Sequence, residues 1–128
     1  MKKIENVVVK DFNDNEVEFE VYVGALEMIY FEQEFYDLTK RESSFILELE
    51  KVEKTQSMTS IIILLGSALH LVGKDRPVGV KYLSKNIDIL ANADVLMTAL
   101  SDSMTSNVGK SNKSGKQKVR KRLTGINL

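Results

Sequence analysis

The 128-residue sequence contains no cysteine, one histidine (His70) and one proline (Pro77). Without cysteine there is no disulfide framework, no thiolate nucleophile and no thiolate metal site. A single histidine leaves a histidine metal cluster or a His-dependent triad short of parts. Long apolar runs are missing too. The longest, residues 58–72, covers 15 positions and includes Thr59, Ser60, Ser67 and His70, whereas a bilayer-spanning helix needs about 20 apolar residues. Lys2 and Lys3 near the start are not followed by an apolar segment, so no secretory signal is read there. These absences describe a soluble, cytoplasmic, non-catalytic chain with no cofactor.

Acidic residues are missing from one region only. Residues 1–102 hold all 18 acidic residues and 11 basic ones, a net charge of −7; residues 103–128 hold seven basic residues and no acidic ones, a net of +7. The formal charge of zero therefore conceals an acidic body and a basic tail. The body is long enough for one modest core. The tail is rich in Ser, Thr, Asn, Gly and Lys and is expected to be disordered.

Within the body, residues 16–23 alternate strictly. Val17, Phe19, Val21 and Val23 share one face; Glu16, Glu18, Glu20 and Tyr22 share the other. That is the pattern of a half-buried strand. Residues 4–10, with Val7, Val8 and Val9, form a second strand candidate, and the turn-forming residues 11–15 join the two into a hairpin. From Gly24 to Leu38 the period becomes helical. Met28, Phe31, Phe35 and Leu38 make one stripe, Leu26, Ile29 and Tyr30 widen it, and Glu27, Glu34 and Asp37 fall on the wet side. A second helix is read over residues 44–56, with Ser43 or Ser44 as its cap. Residues 58–72 are apolar nearly all round, marking a central helix in which Gly66, Ser67 and Ala68 make a flat patch for a close neighbour. Gly73 ends it. A short helix follows around residues 78–84, and Asn86 opens a last one from Ile87 to about Ser101. The expected fold is α+β and mainly helical: an N-terminal β-hairpin packed on about four helices, residues 1–102, followed by a disordered basic C-terminal tail, residues 103–128.

Possible chemistry is sparse. Glu16, Glu18 and Glu20 pair carboxylates on one face, but alternation alone puts polar residues there, and no nearby base divides the roles. Asp11, Asn13 and Asn15 open like a calcium loop, yet Glu16 stands where glycine is needed and Tyr22 where a bidentate Glu is needed. Gly109-Lys110-Ser111 resembles the end of a phosphate loop, with Met104 in place of its first glycine. His70 reads as a hydrogen-bonded core or rim residue. Lys116, Lys118, Arg120, Lys121 and Arg122 concentrate the tail's charge. They suit a solvated arm or an acidic protein partner; nucleic acid is the alternative, weakened because the tail has no aromatic residue to stack on bases.

The order of elements, with Val23-Gly24-Ala25-Leu26 opening the acidic aromatic helix Glu27-Met28-Ile29-Tyr30-Phe31-Glu32-Gln33-Glu34-Phe35, and the apolar run Ile61-Ile62-Ile63-Leu64-Leu65-Gly66-Ser67-Ala68-Leu69 behind it, resembles the tail assembly chaperones of long-tailed bacteriophages. The resemblance covers about residues 4–101. It implies a protein of the host cell cytoplasm that coats the tape-measure protein, masking its apolar surface while tail tube subunits polymerise around it. It also implies that a longer, frameshifted form often accompanies the short one. A glycine often ends the first helix in that family; this chain has Tyr36-Asp37-Leu38-Thr39-Lys40-Arg41 there. Met28, Tyr30 and Phe31 are candidates for the partner-facing surface, as are the five tail cations named above. Homo-oligomerisation is compatible with this reading. The alternatives are a structural tail or head-completion protein and a nucleic-acid-binding regulator that uses the basic tail.

Overall fold

The computed structural model describes residues 4–111, with side chains through Thr105. Strands β1 (Glu5–Lys10) and β2 (Glu16–Val21) pair antiparallel, Val7 opposite Phe19 and Val9 opposite Val17. The turn between them is built on Asp11, whose Oδ1 accepts from the N–H groups of Asn13 and Asn15, both at 2.9 Å. That carboxylate closes an Asx turn, the local use expected of Asp at such a site.

Helices α1 (Ala25–Thr39), α2 (Phe45–Thr55) and α3 (Met58–Ala68) follow. Ser44 caps α2 and Ser57 caps α3, each hydroxyl accepting from the N–H three residues on. α1 ends without a glycine. Lys40 itself adopts the left-handed conformation at φ 62° and its N–H donates to Tyr36 O.

The run read as one helix over residues 58–72 is divided. α3 stops at Ala68, and Leu69–Leu71 forms a third strand, β3, antiparallel to β2 with His70 opposite Glu20. The sheet order is β1-β2-β3, so the expected hairpin is two-thirds of a small sheet. The strand turns Leu69 and Leu71 toward the core side of Val21 and Phe19, and backbone pairing with β2 satisfies groups that a longer helix would have bonded internally.

Helices α4 (Gly79–Asn86) and α5 (Ile89–Ser111) complete the fold. Asp88, rather than Asn86, caps α5: its Oδ1 accepts from the Ala91 N–H at 3.2 Å, while Asn86 donates to Tyr82 O at the end of α4. α5 also runs past the expected end at Ser101. Ser103 and Thr105 are buried and Met104 packs on the core, so the part of the expected disordered tail up to Ser111 is helical. Residues 112–128 lie outside the described residues.

The inner faces of β1 and β2 (Val7, Val9, Phe19, Val21) join Leu96 and Leu100 of α5 in one core with α3, which contacts every other helix. The flat patch on α3 has the use expected of it. A Cβ on Gly66 would stand 2.9 Å from backbone atoms of Gly79 and Val80, so only glycine lets α4 approach this closely.

Candidate partner-binding surface

Two features of α1 stand out, one inside the molecule and one outside. Inside, Glu27 occupies the third position of the helix and its Oε1 accepts from the Gly24 N–H at 2.8 Å. This is half of a capping box, because Gly24 has no side chain to reciprocate. The other oxygen lies 3.0 Å from Nε2 of His70, whose Nδ1 lies 3.3 Å from the carbonyl of Glu20. Both ring nitrogens thus face oxygen. Tyr22 stacks on the imidazole with ring centroids 3.9 Å apart and planes 7° from parallel. Burial, and then the Glu27, Glu20 and Asp75 carboxylates, push the Tyr22 phenol above its ordinary pKa.

Glu27, His70 and Tyr22 are all buried. Glu27 was expected on the wet side of its helix. It is buried because β3 brings His70 beneath the start of α1, which the sequence alone does not reveal. These side chains fasten the first turn of α1 to the outer face of the sheet at β3. Among the described residues no group of acidic and histidine side chains could hold a metal ion, and no helix is long and apolar enough to cross a membrane.

Outside, α1 carries a second apolar stripe. Leu26, Ile29 and Tyr36 are 59%, 52% and 49% exposed. Their spacing of three and seven residues puts them on one side of the helix together with Gln33. The candidates read from sequence lie mostly elsewhere. Phe31 is fully buried, with its ring 5.5 Å from those of both Phe35 and Phe45. Met28 packs against the core. Tyr30 is half-buried, its hydroxyl so close to Gly79 that a Cβ there would meet it at 2.6 Å. Burial and the Glu34 carboxylate push the Tyr30 phenol up, with Arg76 partly offsetting them. Leu38, placed in the core stripe from sequence, is exposed at the helix end. The inner and outer stripes are therefore rotated from the sequence assignment, with Glu27 taking an inner place and Leu26 and Ile29 outer ones. The tail cations Lys116, Lys118, Arg120, Lys121 and Arg122 lie outside the described residues.

The stripe has an acidic setting. α1 contains Glu27, Glu32, Glu34 and Asp37 and no Lys or Arg. Glu32 and Asp37 are exposed and flank the stripe on either side of the helix. Lys40, just beyond the helix, holds its Nζ 5.9 Å over the Tyr36 ring. Comparison with protein-family models, curated proteins and solved structures finds no match for this chain.

Proposed function

We propose that this chain is a non-catalytic tail assembly chaperone that binds and solubilises a bacteriophage tape-measure protein in the host cytoplasm. The observation that carries this reading is the outward stripe of α1, where exposed apolar residues at helical spacing lie between carboxylates; other exposed apolar side chains, Leu90 and Phe12 among them, lie elsewhere on the domain. An amphipathic client helix laid along it would bury its apolar side against Leu26, Ile29 and Tyr36 and point basic residues at Glu32 and Asp37. Masking the client in this way suppresses aggregation without chemistry, and a strip of this small size allows tail tube subunits to displace the chaperone later.

Co-expression with the tape-measure protein of the same phage tests the reading. The client is expected in the soluble fraction with the native chain and in the pellet with Ile29→Asp, provided the variant keeps its native circular dichroism. A client equally soluble with both chains would remove the stripe from the mechanism. Presence of the chain in purified particles would favour a structural tail or head-completion protein instead.

A further inference from the structure

Backbone groups along a strand point alternately to its two sides. Asp11 donates across the hairpin to Asn15 O, while Phe12 donates the other way, to Asn86 O, both at 2.9 Å. The odd-numbered residues of β1 therefore bond to β2, and the even-numbered ones face the edge of the sheet. That edge is closed at its far end, where Asp11 forms an isolated bridge with Ile87. Nearer the start of the strand, no backbone partner among the described residues meets the N–H and C=O groups of Asn6 and Val8, and both residues are exposed. The opposite edge of the sheet differs: along β3, Leu69 O accepts from the Val78 N–H and Leu71 O from the Lys74 N–H. We propose that the open edge of β1, residues 4–8, pairs antiparallel with the same edge of a second copy of this chain, joining two three-stranded sheets into one.

Three observations select a second copy. First, the open stretch is centred on Asn6, so a two-fold axis there sets Ile4 against the partner's Val8 and Val8 against the partner's Ile4. These two side chains are 47% and 50% exposed and share the outer sheet face, and the pairing covers each with the other. Second, the register that matches the side chains also matches the backbone. Ile4, Asn6 and Val8 all face the edge, so the pairs 4–8, 6–6 and 8–4 are the ones whose N–H and C=O groups exchange. Third, no like charges meet within the stretch. Glu5 is its one charged residue, and it falls opposite the partner's Val7 rather than its own copy. Five residues on each side bury less than the about 1,200 Å² of a stable interface, so the dimer is weak and forms at high concentration. The inference does not depend on the chaperone reading.

The absence of cysteine gives a clean background for the test. In the full chain, Asn6→Cys puts two thiols at the axis with Cα atoms about 5.5 Å apart, within disulfide reach. Lys10→Cys is the control. It is exposed on the same face of β1, yet its two copies would stand about 27 Å apart along the paired strands. Under mild oxidation at high protein concentration, the Asn6 variant is expected to link between molecules at least about tenfold faster than the Lys10 variant. Adding Val8→Pro removes an edge-facing N–H without taking a bond from the hairpin, and is expected to bring the Asn6 rate down to the control's. If that variant loses its native circular dichroism, Val8→Lys takes its place, because an edge charge also opposes pairing. The native chain is expected to sediment as monomer and dimer in proportions set by concentration. Equal rates for the two cysteine variants, an advantage that survives the change at Val8, or a native chain that stays monomeric up to about 1 mM would each overturn the proposal. The last result would leave the edge to an extended segment of another protein.

Discussion

Glu27 and Glu48 make an instructive pair. Both are carboxylates in the first turn of a helix and both are almost fully buried. Glu27 is held by one backbone N–H and by an imidazole that is itself buried and stacked. Glu48 is held by the hydroxyls of Ser43 and Ser60 and by the half-exposed Lys51 ammonium at 3.6 Å. Burial pushes the Glu48 carboxyl up, but the two hydroxyl donors and Lys51 outweigh it and hold the group below the ordinary carboxyl value. Glu48 thus ties the loop before α2 to the first turn of α3 with small, replaceable donors. Besides the Gly24 N–H, Glu27 is met by one side chain, 43 residues away, and that imidazole is fully buried. A buried carboxyl with several modest side-chain partners tolerates losing one; a buried carboxyl with a single side-chain partner does not.

The sharpest way to break this comparison is His70→Ala. It leaves Glu27 buried without its side-chain partner and removes the ring under Tyr22. A loss of about 3–5 kcal/mol is expected, read from the urea midpoint, and a double-mutant cycle with Glu27→Ala should recover much of it as coupling between the two sites. Glu48→Gln ranks next, at about 1–2 kcal/mol at neutral pH. Its sign against pH is fixed by the depressed folded pKa. The ionised Glu48 contributes fully above the ordinary value of 4.5, and the contribution is lost as pH falls through the lower folded value. Native protein should therefore lose its advantage over Glu48→Gln in acid, and a constant difference between the two down to pH 3 would contradict the account. Ser60→Ala, which removes one of three donors, should cost about 1 kcal/mol by thermal unfolding. Smallest of all, Leu26→Ser on the outer stripe should change stability by no more than about 0.5 kcal/mol. The same change should weaken capture of a basic amphipathic peptide, a separation of stability from binding that an inner residue such as Phe31 cannot show.

Most of the scaffold was legible. Strict alternation at Val17, Phe19 and Val21 placed β2, and serines ahead of helical periods placed α2. The small-residue patch at Gly66 pointed to a close helix crossing, though not to α4 as the partner. The failures have local physical causes. Leu69–Leu71 continues an apolar run, and periodicity cannot separate a buried three-residue strand from the end of a buried helix. The extension of α5 was hidden by composition, although Ser103 falls seven residues after Leu96 and three after Leu100, in register with their buried side. In α1 apolar residues occupy nearly every direction, so hydropathy could not say which side was inner. The burial of Glu27 decided it, and that depended on a long-range pair. The outer stripe of α1 was thus visible as residue types but not as orientation.

The passage from α3 into β3 has one further consequence. Leu69 is at once the residue that ends the helix and the first residue of the strand, with no loop between them. Natural variation among close variants of this chain should therefore avoid insertions and deletions here, however freely it alters the Gly73–Pro77 turn just beyond. A single added residue after Ala68 would exchange the two sides of β3, delivering an imidazole to Phe19 and a leucine to Glu27. A change of length at this junction would thus be felt on both faces of the strand at once.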